Sequence, residues 1–272
     1  MNLSNQEKKR LKDKYGDWAV VTGASSGIGL ELATQLAAAG FNLIINARNE
    51  ERLLKVAQQL KSQNIEVKSV IADLSDKAGV EKMIQSTQGL QVGLLINNAG
   101  YGTSGLFVDA SMDAEINLLR VNCESVLALS HFFAKKFKQQ QRGGIIFLSS
   151  LVAFQGVPYA ANYAASKAYI QSFAEALAVE LKPFGIDVLA AAPGPVETEF
   201  GQRANMQMDN AMSPDQVGVS ILAALGKRTN VVPGLLSKVL TYGLRTLPRS
   251  MKVKILEKVM AGFTKHQRSG AE

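Results

Sequence analysis

Short, continuously apolar runs of β-forming residues alternate with amphipathic helical stretches along most of this chain. Strand candidates cover residues 18–22, 42–46, 67–72, 93–96, 145–148, 187–191 and 230–232. They are apolar throughout rather than at every second position, as expected where helices cover both faces of a sheet. Between them, helical periodicity covers residues 27–39, 50–63, 75–88, 113–139, 162–182 and 213–225. Gly40 suits the left-handed position that closes the first of these helices. Ser213-Pro214 suits the start of the last, with the hydroxyl as cap and proline at the first helical position. Strand alternating with helix in this order predicts an α/β fold. Its expected form is a doubly wound parallel sheet of about seven strands, with right-handed crossovers and helices on both faces. No internal repeat or low-complexity linker interrupts it, so residues 1–272 read as a single domain.

Composition narrows the classes of function. Apolar residues make up 47% of the chain and charged residues 19%, the balance of a soluble globular protein. No apolar run approaches the ~20 residues of a transmembrane helix. The opening Met-Asn-Leu-Ser-Asn-Gln-Glu-Lys-Lys-Arg lacks the apolar core of a secretory signal. One cysteine, Cys123, excludes an internal disulfide and reads as a small core residue. Two histidines offer no metal-ligand cluster, so a cytoplasmic protein without a metal is expected. The net charge of +7 is concentrated: from Lys227 onward ten Lys/Arg face only Glu257 and Glu272. The preceding chain therefore holds 20 of the 30 basic and 21 of the 23 acidic residues. That distribution argues against a core that binds nucleic acid.

The first strand candidate runs into Thr22-Gly23-Ala24-Ser25-Ser26-Gly27-Ile28-Gly29, and a helix follows at once. Glycines let backbone approach a pyrophosphate, and a helix N-terminus supplies free N–H groups and a favourable dipole. The spacing is G-x-x-x-G-x-G rather than the commoner G-x-G-x-x-G. The second strand candidate ends Ile44-Ile45-Asn46-Ala47-Arg48, with no acid to bind ribose hydroxyls. A carboxylate there would repel a 2′-phosphate, whereas a guanidinium grips it through a fork of charge-assisted hydrogen bonds. These residues point to NADP(H) rather than NAD(H). Asp73-Leu74 follows the third candidate and Asn97-Asn98-Ala99-Gly100 the fourth.

Asn162-Tyr163-Ala164-Ala165-Ser166-Lys167 carries the chemistry. Tyr163 and Lys167 are four apart on a helix and share one face. A free tyrosine has a pKa near ~10. A nearby ammonium and the positive nicotinamide of an oxidised cofactor both favour the phenolate, so the phenol is expected well below that value. A shift of ~3 units corresponds to about 4 kcal/mol, within reach of a desolvated site. Reducing a carbonyl creates an alkoxide that needs a proton, and a tyrosine so tuned gives it, or takes it in reverse.

Taken together, the glycine turn, N-N-A-G and Tyr-x-x-x-Lys resemble the short-chain dehydrogenase/reductase family from about residue 18 to residue 225. The resemblance implies a Rossmann-type sheet and a set of roles. Gly23, Ser25, Ser26, Gly27, Ile28 and Gly29 would hold the pyrophosphate, Arg48 the 2′-phosphate, and Asp73 and Leu74 the adenine. Asn98, Ala99 and Gly100 would line the cofactor cleft. Tyr163 would be the general acid/base, with Lys167 lowering its pKa and both touching the cofactor. Ser150, thirteen residues before Tyr163, would orient the carbonyl; the spacing favours it over the adjacent Ser149. Asn122 would continue a proton relay through water to the lysine. In Pro193-Gly194-Pro195-Val196-Glu197-Thr198, Pro193, Gly194, Val196 and Thr198 would meet the nicotinamide amide and phosphates. Relatives often form homodimers or homotetramers through the helices bearing Asn122 and Tyr163. One departure is Ser26, which stands where some NADP-binding relatives carry a second basic residue.

Residues 199–212 are rich in Met, Asn and Gln, and Met206, Met208 and Met212 suit a mobile lid over an apolar substrate. The core ends near residue 232, and residues 233–272 form an extension. Leu235, Leu236, Val239 and Leu240 suggest one amphipathic helix before Pro248. Ile255, Leu256, Val259, Met260 and Phe263 suggest another, with Lys252, Lys254, Lys258 and Lys265 among them. Two readings of this basic tail stay open. It covers the substrate cleft or packs on a second subunit, or it docks peripherally on an anionic membrane surface or acidic carrier domain. The expected function is NADP(H)-dependent exchange between a carbonyl and a secondary alcohol on a small, ketoacyl or otherwise lipid-like substrate. A non-catalytic NADP(H)-binding regulator would have little reason to keep Ser150, Tyr163 and Lys167 together. A nucleotide-sugar epimerase or dehydratase on a related fold would use a different glycine spacing.

Overall fold

A computed structural model describes residues 1–207 and 211–267, apart from the side chains of Leu236, Leu240 and Arg245. Every strand expected from the apolar runs is present. β1 (Trp18–Thr22), β2 (Asn42–Ala47), β3 (Val67–Ile71), β4 (Val92–Asn97), β5 (Gly143–Leu148), β6 (Ile186–Ala191) and β7 (Asn230–Val231) form one sheet. Their order is β3-β2-β1-β4-β5-β6-β7, and each neighbouring pair is parallel. The chain winds outward from β1 to β3, then restarts beside β1 at β4 and winds the other way. A crevice therefore opens beyond the carboxyl ends of β1 and β4, where the winding reverses.

Both sheet faces are buried, which explains the unbroken apolar runs. On β5, Ile146 and Leu148 face one core with α2 (Gly27–Ala38), α3 (Glu50–Lys61) and α9 (Pro214–Ala224). Ile145 and Phe147 face the other, with α4 (Lys77–Gln85), α6 (Ser125–Gln140) and α7 (Ala161–Glu180). Fully burying each such side chain contributes about 1.5–3 kcal/mol. Between β2 and β3, Asn46 is buried and donates to Val70 O and Ala72 O at 3.0 Å each. Among the described residues, no helix is long and apolar enough to cross a membrane. Nor do three His, Cys, Asp or Glu side chains cluster there as metal ligands.

The helices differ from expectation in four places. An unforeseen helix, α1 (Asn5–Tyr15), precedes the sheet, started by Ser4 accepting from Glu7 N. Its Leu11 and Tyr15 are fully buried, and the Tyr15 hydroxyl donates to Asp187 at 2.7 Å. Gly144 leaves room for the Tyr15 ring, since a Cβ there would lie 2.9 Å from it. α4 starts two residues later than its periodicity suggests, because Asp73 accepts the Ser75 N–H in a turn of its own. The long helix expected over 113–139 is α5 (Met112–Leu119) and α6 joined by a π turn at Arg120–Glu124. Ser213 holds the cap position of α9 with Pro214 behind it, but its hydroxyl caps no backbone N–H.

Candidate active site

The glycine turn is shaped by what presses against it. A Cβ on Gly23 would lie 2.9 Å from Ala99 Cα, and one on Gly29 would collide with Gly23 O and Asn98 Nδ2. Gly23 and Gly27 also have φ of +65° and +58°, a region that favours glycine. Asn98 Nδ2 donates to Thr22 O at 2.9 Å and Gly23 O at 3.0 Å. Thr22 Oγ1 accepts from Asn98 N and Ala99 N at 3.0 Å. The ends of β1 and β4 are thus locked as one unit. At the start of α2, Ser26 caps no backbone N–H, leaving the first-turn donors open toward the cleft. Bare glycine backbone and an uncapped, dipole-positive helix end fit a dinucleotide pyrophosphate.

Arg48 lies beyond β2, more than half exposed, with Nη1 at 3.4 Å from Asp73 Oδ2 across the same cleft. Burial raises the Asp73 carboxyl, but hydrogen bonds from Ser75 and the Arg48 charge outweigh it and hold it low. Ser25, Ile28, Ala47, Leu74 and Gly100 line the same cavity. From the far side come Pro193, Gly194, Val196 and Thr198; a Cβ on Gly27 would meet Thr198 Cγ2 at 3.0 Å. The donor set and the steric cradle fit a nicotinamide dinucleotide.

Deeper in the cavity, α7 carries Tyr163 and Lys167, both buried. Lys167 Nζ donates to Leu148 O at 2.8 Å and lies 5.9 Å from the Tyr163 ring centre. Ser150 follows β5 and lines the cavity with Tyr163; its hydroxyl accepts from Val152 N at 3.4 Å. Ser149 lines the same cavity, but its hydroxyl donates to Lys167 O at 3.2 Å and so serves the fold. Asn122 sits in the π turn. Its side chain accepts from Tyr101 N and donates to Tyr101 O and Ser166 Oγ, at 2.9 to 3.1 Å. A Cβ on Gly100 would lie 2.9 Å from Asn122 Oδ1 and 3.4 Å from Lys167 Nζ, so both side chains converge there. The side chains expected at the catalytic end are thus gathered in one place.

Two expectations need correction. Burial drives Tyr163 up to about 12, against a smaller downward pull from the neighbouring Ser150 hydroxyl, so these side chains alone do not lower the phenol. Burial also drives Lys167 down to about 8. A cation in a desolvated site is disfavoured just as a phenolate is, and the two effects compete. Cys123 is only half-buried, with Sγ 3.8 Å from Ser166 O, and is not a core residue.

The cavity measures about 850 Å³, and the extension contributes part of its lining. α10 (Leu235–Gly243) contributes Leu235, Ser237 and Thr241, and α11 (Arg249–Phe263) contributes Ile255, Leu256, Val259, Met260 and Phe263. The extension thus covers the cleft, as the first of the two readings of the tail expected in part. Met206 and Met212 also line the cavity, while Met208 lies outside the described residues. Met206 is buried rather than loose, because Gln207 N donates to Phe263 O at 3.0 Å and clips this segment to α11. Phe200, in the short helix α8 (Phe200–Arg203), meets the Tyr163 ring at 5.3 Å between centres. Phe200, Ser237 and Thr241 as lining residues were not legible beforehand, since no spacing links them to the motifs.

Residues 17–209 match the short chain dehydrogenase family. The chain is 34% identical over 226 residues to the very-long-chain 3-oxoacyl-CoA reductase of Neurospora crassa, covering 80% of this chain and 66% of that protein. It thus spans just under two thirds of that relative's length. Among solved structures, a 7β-hydroxysteroid dehydrogenase superposes with a TM-score of 0.84 at 26% identity, covering 90% of this chain and 98% of the other. A short-chain dehydrogenase from Sphingobium yanoikuyae in complex with NADPH superposes with a TM-score of 0.77 at 30% identity, covering 84% and 92%. The glycine turn, the seven-stranded parallel sheet and these matches together show that the chain belongs to the short-chain dehydrogenase family.

Proposed function

We propose that this protein is an NADP(H)-dependent oxidoreductase that interconverts a carbonyl and a secondary alcohol on an apolar, ketoacyl- or steroid-like small molecule. The reading rests on one observation: Ser150, Tyr163 and Lys167 share a cavity of about 850 Å³ with the glycine turn and with an apolar roof. Gly23, Ser25, Ser26, Gly27, Ile28 and Gly29 hold the pyrophosphate. Asp73, Leu74, Asn98, Ala99 and Gly100 line the adenosine and ribose side, and Pro193, Gly194, Val196 and Thr198 the nicotinamide side. Arg48, beside Ala47 rather than an acid, binds the 2′-phosphate, and the NADPH-bound relative agrees with that preference. NADP(H) bound there supplies the two-electron exchange.

The chain's own residues manage the proton. Ser150 donates to the substrate oxygen and fixes the carbonyl plane. Tyr163 Oη gives its proton to the oxygen as the carbonyl is reduced, and takes it back in oxidation. Lys167, held by Leu148 O, offsets the burial that keeps the phenol high, and Asn122 extends the proton path from the lysine through water. The relatives named for 3-oxoacyl-CoA and for a hydroxysteroid both point to large apolar substrates, in keeping with a roof of Ile255, Leu256, Met260 and Phe263.

We further propose a cytoplasmic homodimer or homotetramer in peripheral contact with anionic membrane. Exposed Ile116, Leu119, Leu127, Tyr169 and Val179 on α5, α6 and α7 support self-association. Exposed Leu235, Val239 and Tyr242 flank Lys238 on α10, and exposed Met251 lies with Lys254 and Lys258 on α11. This pairing of apolar and cationic side chains complements an anionic lipid surface.

The test is NADPH oxidation, followed by absorbance, against carbonyls graded from small aldehydes to long-chain 3-oxoacyl thioesters, with NADH in parallel. Turnover should rise with chain length and prefer NADPH. Tyr163→Phe should lower it ~10²–10⁴-fold with NADPH affinity unchanged. Tight NADPH binding without turnover on any carbonyl would overturn the proposal.

A further inference from the structure

α10 approaches the segment after β6 very closely. A Cβ on Gly194 would lie 2.5 Å from Ser237 Oγ and 3.1 Å from Leu151 Cδ1, so any larger residue there would have to displace the Ser237 hydroxyl. Ser237 is thereby set against Leu151, the residue after Ser150. It is 5% exposed and lines the cavity. Among the described residues its hydroxyl makes no hydrogen bond. One turn along, Thr241 lines the same cavity, and its hydroxyl is buried without a partner. Leu235, Leu244, Ile255, Leu256, Val259, Met260 and Phe263 around them offer no acceptor side chain.

Buried hydroxyls find a hydrogen-bond partner in the large majority of folded proteins, and leaving one unpaired is unfavourable. One such hydroxyl on Thr241, with that of Ser237 one helical turn away in an otherwise apolar roof, forms the pattern by which a cavity fixes a ligand's orientation. We propose that Ser237 and Thr241 form a subsite for a second oxygen acceptor on the substrate, close to the carbonyl that Ser150 and Tyr163 address. The subsite favours an apolar carbonyl compound with a second carbonyl or carboxyl oxygen a few atoms from the reacting carbon, as in a 3-oxoacyl thioester. A monofunctional ketone of the same length leaves both hydroxyls unpaired. This inference deepens the carbonyl-reductase reading above and rests on it.

The test compares wild-type, Ser237→Ala and Thr241→Val full-length protein, with NADPH, on a 3-oxoacyl thioester and on a methyl ketone of equal chain length. Ser237→Ala should lower kcat/KM on the thioester about tenfold, the size of one lost buried hydrogen bond, mostly through KM. Thr241→Val should lower it several-fold. Turnover of the methyl ketone, NADPH affinity and melting temperature should all stay unchanged. Equal losses on both substrates, no loss on either, or weakened NADPH binding would each overturn the subsite. If wild type reduces neither substrate, the reductase reading falls, and calorimetric binding of the 3-hydroxyacyl thioester still decides the subsite. Binding to Ser237→Ala as tight as to wild type overturns it; binding about tenfold weaker supports it.

Discussion

At the dinucleotide end of the cleft, two strand ends lock each other through backbone and amide contacts, with Gly29, Gly23 and Asn98 in mutual contact. At the substrate end, side chains from four separate segments meet: Tyr101 after β4, Ala160 before α7, Met206 after α8, and Met260 on α11. The first region is short-range and close-packed, so any added atom must displace backbone. The second is long-range and built from flexible side chains, with methionines among them, and can repack around different guests. One fold thus pairs a cofactor seat that cannot vary with a substrate chamber that can.

That contrast can be broken experimentally, most forcefully at Gly29. Gly29→Ala places a methyl against Gly23 O and Asn98 Nδ2. Affinity for NADPH should fall by ~100-fold or more, with destabilisation of about 1–3 kcal/mol from overpacking. A thermal melt and a fluorescence titration would measure both, and a variant with normal affinity would show the seat to be as pliable as the chamber.

Arg48→Ala removes the guanidinium at the rim of that seat. KM for NADPH should rise about 10- to 100-fold, the scale of hydrogen bonds to a charged group, while KM for NADH stays level. A parallel rise for both cofactors would assign Arg48 to its pairing with Asp73 instead.

Where the two regions join, Lys167 ties the comparison to pH. Its pKa of about 8 means that the ammonium is present below that pH and lost above it. Tyr163, pushed up to about 12, stays protonated through the same range. Reductive kcat/KM should therefore fall about tenfold per pH unit above pH 8, a limb that Lys167→Arg moves upward. A profile flat to pH 10 would contradict that assignment.

The smallest effect belongs to the outer surface of the roof. Lys254→Glu and Lys258→Glu should each weaken binding to anionic vesicles about fivefold, from ~1 kcal/mol per basic residue near the surface. Cofactor affinity should be untouched, and wild-type protein that sediments with neither anionic nor neutral vesicles would remove the membrane proposal.

How much of this was legible beforehand follows the same division. The apolar runs gave β1 to β7 to within two residues at their ends, because strands covered on both faces tolerate only apolar side chains. The glycine turn, Asn98, Ser150, Tyr163 and Lys167 could be found because each motif sits within one strand-to-helix junction or one helical turn. α1 escaped notice, because its Leu11 and Tyr15 are buried by partners near Gly93, Gly144 and Asp187, far along the chain. The π turn at Arg120–Glu124 was missed because one extra residue inside a single amphipathic run is indistinguishable from ordinary scatter in the apolar spacing.

The sequence by itself determined the parallel α/β sheet, the seat for a dinucleotide and the Ser150–Tyr163–Lys167 set. These depend on backbone conformations and spacings that local residues impose. Only the tertiary structure decided that the basic tail roofs the cleft, that Ser237 abuts Gly194, and that burial pushes Tyr163 and Lys167 away from their charged forms. Each of those arises from desolvation and from contacts between segments distant in the chain, and such contacts exist only once the fold has closed.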